Sequence, residues 1–258
     1  MSIQRAAYLI LIVALAQSIA GLARSELAWP ELCARIDAVA EPDEVRRYVM
    51  RLNDQPAGRE EFRFWREGDR VQVAVETELE GDVLVFPVDF RHCRRELWRA
   101  EAGRLELIEL DGATNYAVPF KPDYEVHIER DLERGDIVYR GRSSLGSFEE
   151  RHPENTGAIS PWSIRTIDYD RLLNLFEHGA YQVERRLVGR ATIDGREIVH
   201  YALAGEWPRH LWYDHEGKMI RFCAEEAFGT YIETTLEAYA DPDVDAVGLN
   251  RPCAEIFE

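Results

Sequence analysis

Residues His210–Tyr239 read HLWYDHEGKMIRFCAEEAFGTYIETTLEAY, and this stretch decides the fold. Gly217 and Gly229 each follow residues that suit a tight reversal, because glycine adopts positive φ without steric cost. Between these turns the side chains alternate with a period of two, which is typical of half-buried β-strands. The stretch therefore predicts three antiparallel strands joined by two tight turns.

The same pattern recurs along the chain, most clearly at Val71–Leu79, where valines, Thr77 and leucine alternate with glutamine, alanine and glutamates. Turn residues separate further alternating runs, and each run predicts another strand. These runs are Val45–Leu52, Gly58–Arg66, Leu84–Trp98, Leu105–Leu110, Tyr124–Asp131, Asp136–Arg142, Tyr181–Leu187, Arg190–Ile193 and Glu197–Leu203. Pro87 predicts a bend or bulge in the longest of them. The predicted fold is mostly β: a curved antiparallel sheet or a half-open β-barrel.

Two segments have helical spacing. Glu26–Ala40 has Pro30 in its first turn and predicts a short N-terminal helix, while Asp168–His178 ends before a glycine and predicts a short internal helix. Between them, Ser143–Thr166 predicts a long irregular segment. Because long loops in compact domains are often functional, we expect this segment and the internal helix to form a lid over the sheet.

Residues 1–23 predict a secretory signal peptide. Arg5 precedes an apolar run, and the small residues Gly21 and Ala23 suit cleavage after Ala23. An uncleaved membrane anchor is the alternative. We therefore expect a soluble periplasmic chain with a helical segment at 24–44, an antiparallel β domain at 45–240 and a C-terminal tail at 241–258.

The chain of 258 residues carries a formal net charge of −17, spread along its length. A protein that binds nucleic acid needs a basic footprint, so the charge argues against a nucleic-acid partner. It also argues against electrostatic docking on anionic lipid headgroups. An apolar interior pocket is compatible with such a surface, and the composition leaves the oligomeric state open.

Four cysteines in an exported chain predict disulfides. Cys33 and Cys253 lie near opposite ends, outside the strand-rich region, so we expect them to pair. Cys93 and Cys223 lie within predicted strands and could form the second bridge. No two cysteines have the C-x-x-C spacing of zinc sites, and the seven histidines are scattered, so the sequence predicts no metal site and no cofactor.

Several short motifs follow one another in a set order along Val45–Tyr239. They are a hairpin at Gly58, Glu96-Leu97-Trp98 before Gly103, Ser160-Pro161-Trp162, Leu172-Leu173-Asn174 before Gly179, and Leu211-Trp212-Tyr213-Asp214 before Gly217. With this ordered set the chain resembles an uncharacterised family of exported proteobacterial proteins, the domain of unknown function six-one-three-four. The resemblance implies a curved antiparallel sheet and no established activity. The chain departs from the family pattern at Ser163, where asparagine or another amide is expected.

The aromatic and amide residues of these motifs are the predicted ligand-binding set. They are Trp98, Trp162, Asn174, Trp212 and Tyr213. A long loop and a helix over a sheet would cap an apolar cavity that these residues face. The alternative is that Trp162 and the helix plug one end of the barrel, because apolar clusters usually belong to a core.

Glu96 and Asp214 each lie near a tryptophan and are the predicted acid and base if the protein is an enzyme. Glycoside hydrolases use two carboxylates beside aromatic sugar platforms. An ion pair with a neighbouring arginine is the alternative for either carboxylate. The serines around Gly146 do not form the G-x-S-x-G turn of serine hydrolases, so the sequence favours a non-catalytic protein.

These observations predict an exported binding protein that holds an apolar or lipid-like small molecule in a curved β-sheet. Two alternatives stay open. One is an envelope hydrolase that acts on a glycan or an ester through paired carboxylates. The other is an interaction module that contacts an envelope protein along an open sheet edge.

Overall fold

The structure is a computed structural model, and it describes residues 41–83, 86–116, 121–193, 195–226, 229–240 and 248–257. The predicted signal peptide, the predicted helix Glu26–Ala40 and Cys33 lie outside the described residues. Within the described ranges, no helix has the length and apolar character needed to cross a bilayer.

The described chain folds into a single 15-stranded sheet. The strands are β1 (Glu44–Leu52), β2 (Gln55–Glu67), β3 (Arg70–Val83), β4 (Phe86–Glu101), β5 (Arg104–Tyr116), β6 (Tyr124–Arg130), β7 (Ile137–Ser143), β8 (Gly146–His152), β9 (Thr156–Ala158), β10 (Arg171–Leu173), β11 (Ala180–Ile193), β12 (Arg196–Gly205), β13 (Arg209–Asp214), β14 (Met219–Glu226) and β15 (Thr230–Leu236). Among the described residues there are also 3-10 turns at Ile164–Ile167 and Glu237–Tyr239 and one short α-helix, α1 (Cys253–Phe257).

The strand order is β8-β7-β6-β5-β4-β3-β2-β1-β15-β14-β13-β12-β11-β10-β9. Each half is a run of neighbours in sequence, and the first and last strands join the halves through the antiparallel pair of β1 and β15. The two edge strands, β8 and β9, are consecutive in the chain, so the sheet curls into a nearly closed barrel. The predicted curved antiparallel sheet is thereby confirmed, with one exception: β9 and β10 are parallel.

The stretch that decides the fold forms β13, β14 and β15, as predicted. Gly217 has a φ of 78° and donates its backbone N–H to the carbonyl of Asp214 at 2.9 Å, which closes the first turn. Gly229 has a φ of 67°. Positive φ is open to glycine without the penalty that other residues incur, so local sequence dictates both reversals.

Side chains close the seam between the two edges of the sheet. The Tyr139 hydroxyl on β7 donates to the backbone carbonyl of Asn174 at 2.7 Å. The His178 ring lies 3.8 Å from the Phe148 ring, centroid to centroid, and its Nε2 is 2.8 Å from a carboxylate oxygen of Glu150 on β8. The barrel is therefore completed by contacts with the loop between β10 and β11.

The predicted internal helix at Asp168–His178 is wrong. Arg171–Leu173 is strand β10, which pairs antiparallel with the start of β11 and parallel with β9. A short leucine-rich run fits a buried strand as well as a helix, and here both leucines of the strand are buried by the barrel wall. The predicted irregular segment Ser143–Thr166 likewise contains β8, β9 and the start of the first 3-10 turn.

Of the bend or bulge predicted at Pro87, the described part of β4 shows no bulge there. Pairing with β3 runs through Pro87 without a shift. The register shift lies instead between Leu97 and Trp98.

The expected disulfide pairing is wrong as well. Cys223 on β14 bonds to Cys253 at the start of α1, with the Cα atoms 5.7 Å apart. The C-terminal segment crosses the outer face of the sheet, where the Arg221 guanidinium donates to the carbonyls of Gly248, Leu249 and Arg251. The described part of the predicted C-terminal tail is therefore held against the sheet. Cys93 is also disulfide-bonded.

Candidate functional site

Glu96 lies inside the barrel and is the centre of a buried polar cluster. Glu96 is 0% exposed. One of its carboxylate oxygens accepts hydrogen bonds from Arg94 Nε and Ser160 Oγ, both at 2.5 Å. The other oxygen accepts from the indole N–H groups of Trp98 at 2.6 Å and Trp162 at 2.9 Å. Four donors, one of them charged, satisfy a carboxylate that burial alone would strongly destabilise.

The segment 160–164, which we call the plug, connects the two halves of the barrel. Beyond its bonds to Glu96, its Trp162 carbonyl accepts from Arg46 at 3.0 Å, and the Tyr213 hydroxyl donates to the Pro161 carbonyl at 3.1 Å. Ile164 N–H donates to the Gly217 carbonyl at 2.9 Å. The plug thus fills one end of the barrel interior and bridges β1, β4 and the β13–β14 turn.

A second carboxyl group faces the same interior. Thr77 donates to Glu60 at 3.0 Å. Burial raises the pKa of Glu60, and the charge of Glu96 adds to this effect, while Arg94 and the Thr77 bond oppose it. The barrel interior is therefore not uniformly apolar: a row of polar side chains crosses its wall next to the plug.

The predicted binding residues divide between different places. Trp98 and Trp162 meet edge to face at 6.1 Å inside the barrel, and Tyr213 contacts the same plug. Asn174 forms the turn after β10, where its Oδ1 accepts from the N–H of Phe176 at 2.9 Å. Trp162 is buried in the core and bonds to Glu96, and no internal helix lies beside it in the described structure.

Trp212 and Asp214 lie away from this cluster. Trp212 is buried on the outer face, in the apolar group that includes Cys223 and Cys253, and stacks on the His200 ring at 4.1 Å. Asp214 caps the β13–β14 turn, because its Oδ1 accepts from the backbone N–H groups of Glu216 and Lys218 at 2.9 and 3.0 Å. Glu96 and Asp214 share no hydrogen-bond partner in the described structure.

The opposite end of the barrel presents half-buried aromatic rings, which we call the aromatic mouth. Its rings come from strands β4, β5, β11 and β14 and from the loops after β10 and β12, and they are Phe90, Tyr116, Phe176, Tyr181, Trp207 and Phe222. Phe90 packs against Phe176 at 5.7 Å and Tyr116 at 5.3 Å. Trp207 lies 6.3 Å from Tyr181 and 6.2 Å from Phe222.

Four charged side chains surround these rings. Arg209 pairs with Glu226 at 2.6 Å and lies 4.2 Å from the centroid of Trp207. Lys121 pairs with Glu177 at 3.2 Å and lies 4.5 Å from the centroid of Tyr116.

The charges of Glu177 and Glu226 act on tyrosines of both groups of rings. Burial raises the pKa of Tyr116 well above its ordinary value, and the charges of Glu177 and Glu226 add to this shift. Burial is also the largest cause that raises the pKa of Tyr181, and the same two carboxylates raise it further. Glu226 itself is 43% exposed in its side chain, yet desolvation raises its pKa above the ordinary value, against the lowering effect of Arg209 and Lys121. It is a recessed but accessible carboxyl group.

Sequence reasoning did not find the aromatic mouth. Its residues are single aromatics in strands and loops, scattered between positions 90 and 222, and no local pattern distinguishes them from core residues. The single available signal was the position of Trp207 and Phe176 in short loops, where large aromatic residues are exposed to solvent unless they meet a partner.

Two further features lie on the outer surface. A groove of about 310 Å³ is lined by side chains of alternating charge, including Arg47, Arg59, Arg63 and Glu61. These residues pair with one another or with neighbouring glutamates, as in the Arg47–Glu61 contact at 2.9 Å. Another surface group places ligand atoms of Glu109, Asp111 and His127 within 4.8 Å of one another. Both have the character of a solvated, salt-bridged surface.

The fold and its interior define the class: a nearly closed β-barrel-like protein with one end filled by the plug and the other lined by the aromatic mouth. Within that class, the chain belongs to a family described as a domain of unknown function, DUF6134, whose model matches residues 48–237. Three of the motifs that carry this resemblance meet in space, because Glu96, Trp98, Ser160, Trp162 and Tyr213 all contribute to the plug and its partners.

Among solved structures, the chain is similar to a β-barrel-like protein of the domain of unknown function DUF1849 from Brucella abortus. The identity is 8%, the alignment covers 74% of this chain and 95% of that chain, and the TM-score is 0.48. No curated protein matches the sequence.

Proposed function

We propose that this protein binds an amphipathic or apolar small molecule at the aromatic mouth and that it works in the cell envelope after export. The observation that carries the proposal is the convergence of six half-buried rings and two ion pairs at one barrel end. Ligand sites are typically concave and mostly apolar, with a few placed polar groups. The leader-like residues 1–23 and the disulfide of Cys223 and Cys253 support an oxidising compartment.

The plug supports placing the ligand at the aromatic mouth instead of at the other end of the barrel. The barrel interior beside Trp162 is filled by side chains that hydrogen-bond to one another, so a ligand there would have to displace the bonds of Glu96. At the mouth, by contrast, aromatic surface is already partly exposed. Covering it with an apolar group would be favourable, at about 25 cal/mol per Å² of apolar surface removed from water.

The geometry is less favourable for the two alternative functions. Glu96 is enclosed by four donors and Asp214 holds a turn, so the two predicted carboxylates do not form an acid and base pair around a common cleft. For an interaction module, the exposed edge is β8, where Glu149 and Arg151 point outward. Charged residues on an edge strand oppose pairing with another strand.

The test uses the full chain purified in its oxidised form. Native mass spectrometry, followed by denaturing extraction, would detect a co-purifying apolar molecule. Fluorescence titration with phenylnaphthylamine, an apolar probe, would measure binding directly. We expect Trp207→Ala to weaken probe binding by about tenfold, because a buried aromatic contact is lost.

The matched control is Trp65→Ala, which removes a tryptophan from the outer face of β2 and should leave probe affinity unchanged. A protein that carries no extractable molecule and does not bind the probe would refute the proposal. Equal loss of affinity in both variants would show that the probe reports general destabilisation and not the mouth.

A further inference from the structure

The aromatic mouth contains two deeply buried polar atoms that have no hydrogen-bond partner within the described residues. One is Nε2 of His92, a residue that is 0% exposed, and the other is Nε of Arg209, which is 4% exposed. Most buried polar atoms in folded proteins are paired, so an unpaired one requires an explanation. A ligand group that bonds to such an atom would remove an existing penalty as well as add a contact.

His92 lies beneath two rings of the mouth. Its ring lies edge-on to Phe176 at 4.8 Å and nearly parallel to Phe90 at 6.4 Å, and both of these rings belong to the mouth. The other ring nitrogen, Nδ1, is 2.9 Å from the hydroxyl of Thr114. Nε2 is therefore the ring nitrogen left for a ligand.

The surroundings of His92 favour a neutral imidazole. Burial lowers the pKa of His92 well below its ordinary value and the nearby charge of Arg94 lowers it further, while a backbone hydrogen bond with Ala113 opposes both effects. A neutral imidazole donates from one nitrogen and accepts at the other. Because the Thr114 hydroxyl can itself donate or accept, Nε2 can meet either a carbonyl oxygen or a hydroxyl group.

The charges of the mouth are already balanced. Arg209 pairs with Glu226, and Lys121 pairs with Glu177. A charged ligand head group would lose its hydration here without gaining an unpaired counter-charge, and this loss opposes binding. An uncharged head group has no such penalty, and the donor at Arg209 Nε would also suit a carbonyl or hydroxyl oxygen.

We propose that the mouth selects uncharged amphiphiles that carry a hydroxyl or carbonyl group, and that His92 Nε2 recognises this group. The apolar part of the ligand lies against the rings of the mouth. This inference rests on the proposed function of the same site and specifies its ligand class.

The experiment compares three amphiphiles of equal chain length on the full oxidised chain: decanol, decanoate and decyltrimethylammonium. Each competes with phenylnaphthylamine, which has an apolar ring system and reports on the mouth itself. We expect decanol to compete about tenfold more tightly than either charged compound, since an uncompensated charge in a partly buried site weakens binding by at least that factor.

The variant His92→Phe keeps an aromatic ring and removes Nε2. We expect this variant to lower the affinity for decanol by about fivefold, because one buried hydrogen bond is lost, while the affinity for phenylnaphthylamine stays unchanged. The matched control is His200→Phe, which replaces another buried histidine on the outer face of the sheet, where its ring stacks on Trp212. The head-group comparison on the unaltered chain needs no variant and so does not depend on how His92→Phe folds.

Three results separate the proposals. The expected selectivity, lost in His92→Phe but kept in His200→Phe, supports the inference. Normal probe binding with equal affinity for all three head groups overturns the inference and leaves the proposed function standing. Absence of binding for the probe and for every amphiphile overturns both.

Discussion

The buried Glu96 cluster makes the strongest prediction about stability, and the perturbation is Glu96→Ala. The substitution leaves the guanidinium of Arg94, whose side chain is 3% exposed, without its partner at 2.5 Å. Removing one member of a buried ion pair costs about 3–5 kcal/mol. The indole N–H groups of Trp98 and Trp162 also lose their acceptor, and an unsatisfied buried donor costs about 1 kcal/mol or more.

The combined loss of unfolding free energy is therefore about 5 kcal/mol, a large part of the roughly 5–15 kcal/mol that stabilises a domain. In urea, with a slope of about 2–3 kcal/mol/M, this corresponds to a midpoint lowered by about 2 M. The assay is equilibrium unfolding followed by tryptophan fluorescence, which reports directly on Trp98 and Trp162.

The matched control is Glu78→Ala, which removes another glutamate paired with an arginine. Glu78 and Arg59 are 2.8 Å apart, but their side chains are 50% and 76% exposed. An exposed pair contributes about 0–1 kcal/mol, so the midpoint should hardly move. If the two variants unfold at the same urea concentration, then the carboxylate of Glu96 does not hold the plug in place and our reading of the interior is wrong.

Three further predictions concern the outer face and the strand packing. Cys253→Ser should lower the unfolding free energy by about 3–4 kcal/mol in the chain-entropy model, because the bond to Cys223 spans a sequence separation of 30; urea midpoints of the oxidised proteins measure this. Burial lowers the pKa of His200 to about 3, and the charges of His210 and Arg221 lower it further. Between roughly pH 6.5 and pH 4 the His200 ring therefore takes up a proton in the unfolded chain but not in the folded one. The free energy of unfolding should fall by up to about 1.4 kcal/mol for each pH unit from roughly pH 6.5 towards pH 4. Gly58→Ala should destabilise by about 1–3 kcal/mol or more in thermal unfolding, since the added Cβ would overlap the carbonyl oxygen of Glu78.

Each of these has its own control. Non-reducing peptide mapping should recover a peptide that joins Cys223 to Cys253; recovery of Cys253 bonded to another cysteine would contradict the fold of the C-terminal segment. For the pH series, the variant His200→Phe should show a shallower decline, and an unchanged slope would mean that another group titrates. For the glycine, Gly179→Ala is the comparison, because an added Cβ there meets nothing within 4 Å and should be tolerated.

Much of the strand pattern was readable from local sequence. The alternation at Val71–Leu79 placed the correct side chains inside the barrel, because side chains in a strand point to opposite faces with a strict period of two. The same period puts Glu96 and Trp98 on one face, and the structure joins them by a hydrogen bond. The turn at Gly217 follows from the positive φ that glycine alone adopts freely.

Other elements depended on contacts that no local window contains. Leu172 and Leu173 form a strand instead of a helix because β9 and β11 lie on either side of them and supply backbone partners. Cys223 bonds to Cys253 because the C-terminal segment returns across the outer face, where Arg221 holds its carbonyl groups. Neither outcome can be derived from residue spacing.

The sequence by itself determined that this chain would be a twisted run of antiparallel strands with sharp turns, since these depend on side-chain alternation and glycine conformation. Only the tertiary structure decided where its chemistry lies. Closing the barrel brings Ser160 and Trp162 to Glu96 across 64 and 66 positions of sequence, and it gathers the mouth from four strands and two loops. Burial and pairing in such places depend on which distant segments meet, and that is a property of the whole fold.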